Sequence, residues 1–262
     1  MPLRIEHHDR ARLLVLDDPQ RRNALSLELV DAIVDACEQA ERDPDVGALV
    51  VTGAPPAFCS GADVSSLASL GDRDADGARD TRDTRDNGAL RGIYEGFLRV
   101  WRSRIPTVAA VNGPAVGAGF NLALACDLRL AGESARFDSR FLSLGLHPGG
   151  GHTWLLERAV GPQTAAAMVL FAQALDGRAA ERTGLAWRCV ADEELVERAL
   201  ELANRAARAP VELAAAAKGS LRRAPWVESF EAAVDAELEQ QVWSTAQGFF
   251  AERMSGARRE RR

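Results

Sequence analysis

The chain has 262 residues, 47% hydrophobic and 27% charged, which suits one large α/β domain with a small appendage and excludes a disordered or fibrous class. Its 32 Lys and Arg stand against 38 Asp and Glu, a net charge of −6, so no overall basic field attracts nucleic acid. The one basic cluster, Arg258 to Arg262, reads as a solvated terminus.

Met1 to Arg10 mixes Arg4, Glu6, His7, His8 and Asp9, and so cannot be the apolar stretch of a signal peptide. No later segment approaches the roughly 18 uninterrupted apolar residues of a membrane span, so the expectation is a cytoplasmic protein without a membrane partner. Cys37, Cys59, Cys126 and Cys189 are far apart and form no C-x-x-C pair. They read as free thiols, with neither zinc nor disulfides implied.

Arg12 to Asp17 is a short apolar run closed by Asp-Asp-Pro, which predicts a strand and a turn. A helix follows, capped by Ser26, with Leu29, Ile33, Cys37 and Ala40 three to four residues apart until Asp43-Pro44 stops it. Val46 to Val51 is continuously apolar and ends at Gly53, as a strand buried on both faces should. Gly71 to Gly88, crowded with Asp, Arg and Gly, predicts a surface loop. Leu90, Tyr94, Phe97, Leu98 and Trp101 then give a helical stripe. Thr107 to Val111 reads as another buried strand, Gly117 to Cys126 as a small-residue helix, and Asp127 to Ala131 as a further strand. A glycine-rich connection, Gly145 to Gly151, precedes a helix at His152 to Val160. From Glu193 the chain reads as helical, with breaks near Pro210 and Pro225. The order predicts a β/α core over residues 1–190 and an all-helical region over 191–262.

Two turns carry the functional weight: Ala57-Phe58-Cys59-Ser60-Gly61-Ala62-Asp63 after a strand, and Gly113 to Asn121 before a helix. Both place small residues where backbone N–H groups can approach a ligand, and the second adds the partial positive charge of a helix N-terminus. Either turn taken singly also fits plain strand-to-helix packing.

Taken together and in order, the motifs resemble the crotonase superfamily, the enoyl-CoA hydratase/isomerase family, along nearly the whole chain. The matching residues are Arg22-Asn23-Ala24-Leu25, the two turns, Cys126-Asp127, Gly145-Leu146 with Pro148-Gly149-Gly150-Gly151, Arg158-Ala159-Val160-Gly161, and Ala180 with Gly184-Leu185. The resemblance implies a spiral of β-β-α turns followed by helices that mediate trimer formation, often as a dimer of trimers. It implies that the Ala62 and Ala118 N–H groups form an oxyanion hole for an acyl-CoA thioester. Arg22, Ala24, Ser60, Asp63 and Val64 would then lie along the CoA, which is part of the substrate; no permanently bound cofactor is implied.

One departure stands out. The two glutamates that hydratases of this family use align with Asn121 and Phe141. An amide has no usable proton-transfer pKa near neutrality, and a phenyl ring exchanges no proton at all. Ordinary hydration is therefore expected to be impaired. Asp138, Ser139, Arg140, His147 and His152 flank the expected site, with His147 and Asp138 the first candidates for acid or base and Tyr94 and Glu95 in reach from the helix after the loop. A structural role is the competing reading for each of these, for Asp138 and Arg140 a pairing with one another or a contact with a subunit neighbour, and the small Cys59 suits its turn sterically without being a nucleophile. No nucleotide-binding glycine motif and no metal-ligand spacing is present. Two functions fit: an enzyme of the hydratase/isomerase type with atypical acid/base machinery, or a non-catalytic acyl-CoA-binding protein.

Overall fold

The computed structural model describes residues 1–63 and 88–260. Val64 and the expected loop from Gly71 lie outside the described residues, apart from Gly88, which opens a helix.

Strands β1 (Leu3–His8) and β2 (Ala11–Leu16) form an antiparallel hairpin. Helix α1 (Leu27–Arg42) leads to β3 (Ala48–Gly53), and α2 (Gly88–Trp101) leads to β4 (Thr107–Val111). The short β5 (Pro114–Val116) feeds α3 (Ala118–Ala125), then β6 (Leu128–Gly132) and β7 (Arg136–Asp138). Helix α4 (His152–Leu170) is broken at Gly161-Pro162, where the expected segment ends. Then come β8 (Leu175–Asp176), α5 (Gly177–Thr183) and β9 (Arg188–Val190), followed by α6 (Leu195–Ala206), α7 (Val211–Arg223), α8 (Phe230–Thr245) and α9 (Gly248–Glu260).

The main sheet has the order β1-β2-β3-β4-β6-β9, parallel from β2 onward. A second, smaller layer runs alongside it: Leu25 bridges Ala62, Cys59 bridges Ala115, and β5, β7 and β8 complete the row. Each long strand thus leads to a short one, as in β4-β5-α3, which makes the molecule a β-β-α spiral.

Period-two alternation explains why the central strands read as unbroken apolar runs. Leu14, Leu16, Leu49, Val51, Ala109 and Val111 face the helix layer of α1, α2 and α3. Leu13, Val15, Ala48, Val50, Val108 and Ala110 face the opposite way, against Leu195, Ala199 and Ala203 of α6. The first helix of the C-terminal region therefore seals the second face of the sheet.

Local chemistry sets the element ends. Ser26 Oγ accepts from Leu29 N at 3.2 Å and caps α1, whose Leu29, Val30, Ile33, Ala36, Cys37 and Ala40 are buried. Lys218, the chain's single lysine, is buried on α7, where Nζ donates to Ile105 O at 2.9 Å and pairs with Asp127. Its position ties the C-terminal helices to the ends of β4 and β6, a structural task that its rarity in the sequence does not announce.

Asn23 is fully buried with a positive φ of 58°. Its Nδ2 donates to Ala57 O at 2.7 Å and Ala54 O at 2.8 Å, while Oδ1 accepts from Asp18 N at 2.9 Å. One side chain thus anchors the start of the first glycine turn. Replacing Asn23 by Ala leaves those buried groups without partners, and the expected loss is about 2–3 kcal/mol of stability, measured by urea unfolding.

Candidate active site

The two glycine turns are bonded to each other. Cys59 N donates to Pro114 O at 3.1 Å, and Val116 N donates back to Cys59 O at 3.0 Å. On the other flank Leu25 N donates to Gly61 O at 2.8 Å and Asp63 N to Leu25 O at 3.1 Å. Residues 59–63 are therefore held as strand between two neighbours. Close approach demands glycine at two points. At Gly119 a Cβ would overlap the Cys59 carbonyl, and at Gly61, with φ 109°, it would lie 3.0 Å from Val116 O and 3.8 Å from Ala118 N.

Within residues 59–63 the amides of Cys59, Ser60 and Asp63 are used, Ser60 N donating to Arg22 O at 3.0 Å. Among the described residues neither Ala62 N–H nor Ala118 N–H has a hydrogen-bond partner. Ala118 opens α3, so its N–H also carries the partial positive charge of the helix end. Both residues line one cavity of about 650 Å³. Tyr94, Phe141, Leu144 and Leu146 lie along its apolar wall, and Ser139 and His147 are also among its lining residues. Two unpaired donors in a largely apolar hollow can hold one oxygen that gains negative charge.

Asn121 and Phe141, which the resemblance sets at the two glutamate positions, sit very differently. Phe141 lines the cavity, its ring 4.9 Å from that of His152. Asn121 is 1% exposed and is turned into the wall. Its Nδ2 donates to Gly149 O at 2.9 Å, and its Oδ1 faces His152 Nδ1 at 2.8 Å. His152 Nε2 in turn lies 2.8 Å from Ser139 Oγ. Burial lowers the His152 pKa to about 4, so the imidazole is neutral at physiological pH.

Of the first acid or base candidates, His147 is exposed at the cavity mouth and its Nδ1 donates to Pro148 O at 2.7 Å. Asp138 lies in the wall 3.7 Å from Arg136, a different partner from its neighbour Arg140. Tyr94 lines the cavity and its hydroxyl meets the Gly150 backbone, whereas Glu95 pairs with Arg102 at 2.8 Å. Cys59 is fully buried and its thiol is pushed up to about 12 by burial, so it stays protonated.

Along the expected CoA path, Arg22 and Ser60 line the cavity. Ser60 Oγ donates to Arg21 O at 3.1 Å, and Asp63 accepts from Arg21 Nη1 at 3.1 Å. Ala24 is buried beneath them. Arg21, absent from the expected set, joins Asp18 to Asp63 across this edge.

Residues 10–255 match the family model described as enoyl-CoA hydratase/isomerase. The chain belongs to that family. A probable enoyl-CoA hydratase of Mycobacterium tuberculosis is 47% identical over 250 residues, 94% of this chain and 93% of that one. The 2,3-dehydroadipyl-CoA hydratase of Escherichia coli is 36% identical over 237 residues, covering 90% and 86% of the two chains. Among solved structures, a probable enoyl-CoA hydratase/isomerase of Mycobacterium abscessus superposes with a TM-score of 0.86 at 30% identity, over 100% of this chain and 97% of that one. The β-β-α spiral is thus the crotonase fold, and no helix among the described residues is long and apolar enough to cross a membrane.

Sequence reasoning placed Ser139 and His152 beside the site but did not join them to Asn121. The 13-residue separation of Ser139 and His152 carries no signal of their contact. The linkage of His152 to stability has a definite sign. A histidine held neutral in the fold but free to protonate when unfolded stabilises the fold above about pH 6.5, and that contribution is lost as pH falls toward 4. Urea unfolding should show stability falling by up to about 1.4 kcal/mol per pH unit across this window, with the slope reduced in His152→Gln.

Proposed function

We propose that the cavity binds an acyl-CoA thioester with its carbonyl oxygen between the N–H groups of Ala62 and Ala118, and that the site acts as an enolate-stabilising member of the family. The observation that carries this reading is the pair of amides without intrachain partners facing one largely apolar hollow. Removing a proton beside a thioester, or adding water across its double bond, moves negative charge onto that oxygen. Fixed donors stabilise it without reorganising, each worth about 10²–10³ in rate. Arg22 and Ser60 at the cavity edge are placed for the CoA portion, with Ala24, Asp63 and Val64 assigned there by resemblance alone. The reaction takes place in the cytoplasm on this reading, and CoA enters only as part of the substrate.

Asn121 has its carboxamide committed to Gly149 and His152, and Phe141 presents a ring. Hydration by two carboxylates is therefore unsupported at these positions. The same observation favours a second reading, a protein that binds acyl-CoA without turning it over. Crotonyl-CoA should bind to the native protein yet be hydrated at least about 10²-fold more slowly than by a two-glutamate enzyme, followed by loss of enoyl absorbance. A folded Ala62→Pro variant, which lacks one donor, should lose roughly tenfold in crotonyl-CoA affinity by calorimetry. Unchanged affinity would remove Ala62 from the site.

The C-terminal helices support assembly. Leu221, Trp226, Phe230, Leu238 and Val242 are exposed on α7, α8 and the turn between them. Apolar side chains in that number on one region mark a surface that is covered in an oligomer. We assign them to a homotrimer or a dimer of trimers. Light scattering at micromolar concentration should give three or six times the 28.2 kDa chain mass.

A further inference from the structure

The hydrogen bonds around His152 have only one consistent direction. Gly149 O can only accept, so Nδ2 of Asn121 points to it and Oδ1 points to His152. An amide oxygen also only accepts, which places the imidazole proton on Nδ1. Nε2 of the neutral ring then carries a lone pair, and the Ser139 hydroxyl, 2.8 Å away, donates to it. The rings of Phe120 and Phe141 pack on the imidazole, with centroids 5.3 and 4.9 Å from that of His152. The result is a hydroxyl, a base and a carboxamide that fixes the base's tautomer, in the order needed to activate a nucleophile.

Ser139, although only 2% exposed, lines the same cavity as Ala62 and Ala118. It is tethered there, because the carbonyl of its neighbour Asp138 accepts from Gly117 N at 3.0 Å, one residue before Ala118. Attack on a thioester carbonyl requires a nucleophile, a base and donors for the oxyanion. It requires no carboxylate at either glutamate position.

We propose that Ser139 is a nucleophile toward the thioester carbonyl, with His152 as its base and Asn121 as the orienting residue, so that this chain hydrolyses acyl-CoA through an acyl-serine. The proposal rests on the acyl-CoA reading of the cavity. In the first step Ser139 Oγ bonds to the carbonyl carbon, its proton moves to His152 Nε2, and the carbonyl electron pair moves to the oxygen held by Ala62 and Ala118. Collapse breaks the C–S bond, and the imidazolium gives its proton to the leaving CoA thiolate. Water then attacks the acyl-serine with its proton passing to Nε2, the C–Oγ bond breaks, and the proton returns to Ser139. One thioester and one water give one carboxylic acid and one free thiol, with no change of oxidation state.

The competing role for the same contacts is purely structural, bracing α3 against α4. Three measurements on the full-length protein separate the two. Acetyl-, crotonyl- and octanoyl-CoA are followed for thiol release with a disulfide dye; phenylmethylsulfonyl fluoride, which needs no acyl group, is tested for a covalent adduct by peptide mass spectrometry; and crotonyl-CoA binding is measured by calorimetry. The expected result is a sulfonyl adduct on Ser139, strongly slowed in His152→Gln, and thiol release that falls about a hundredfold or more in Ser139→Ala while crotonyl-CoA affinity stays within a few-fold. Thiol release at the same rate in Ser139→Ala, or no adduct on Ser139 and no release above the buffer rate, would overturn the proposal. Retained crotonyl-CoA binding in that event leaves the acyl-CoA reading standing, whereas absent binding fails both.

Discussion

The structure turns on the backbone pairing of residues 59–63 with β5 and Leu25. Those bonds take up the amides of Cys59, Val116, Leu25 and Asp63, and they force two turns from distant parts of the sequence into contact. In the bridge between Leu25 and Ala62 the bonds run from Leu25 N to Gly61 O and from Asp63 N to Leu25 O, so the amide of Ala62 itself points away from Leu25. On the second turn, the start of α3 leaves Ala118 N–H free for the reason that every helix start leaves donors free. The site's donors are consequences of how these segments pair, and the side chains involved need only be small. This is why Gly119 against the Cys59 carbonyl and Asn23 beneath the first turn matter as much as any polar group facing the cavity.

Much of this was legible in the sequence, for physical reasons that also mark the limit. Strands β3 and β4 are buried on both faces, so they appear as continuous apolar runs, and α1 has a capping serine and a clear stripe. Strand β1 was missed because it is an edge strand: Leu3 is buried but Ile5 is 39% exposed, and Arg4, Glu6, His7 and His8 are charged or polar. Strands β8 and β9, two and three residues long, are too short to show a period and exist because neighbours supply their partners. The two closely approaching turns were legible as glycine spacing. The direction in which a side chain points was not, and Asp138 accordingly pairs with Arg136 and not with Arg140.

Asn121 shows what that limit costs. Aligned with a hydratase glutamate, it suggests a weakened copy of the same group, facing the substrate with less chemistry. In the fold it faces away, fastened to Gly149 O on one side and His152 on the other. Asn121 thus lies in the layer behind the cavity, while Ser139, joined to it through His152, is among the residues that line it. Phe141 fits the same arrangement. A carboxylate there would sit against the His152 ring and favour its protonation, whereas a phenyl ring dries the imidazole and keeps it neutral.

A neutral buried histidine fixed by a carboxamide has a cost as well as a use. Bringing Asn121, His152 and Ser139 into an apolar wall removes three polar groups from water, and only their mutual bonds and the Gly149 carbonyl offset that loss. Such a network is stable when every member is satisfied, and among the described residues each of these side chains has at least one partner within 2.9 Å. Ser139 Oγ stands at the end of this chain of hydrogen bonds, and its residue lines the cavity. On the proposed reading that oxygen is the reactive one, in the cavity that Ala62 and Ala118 also line.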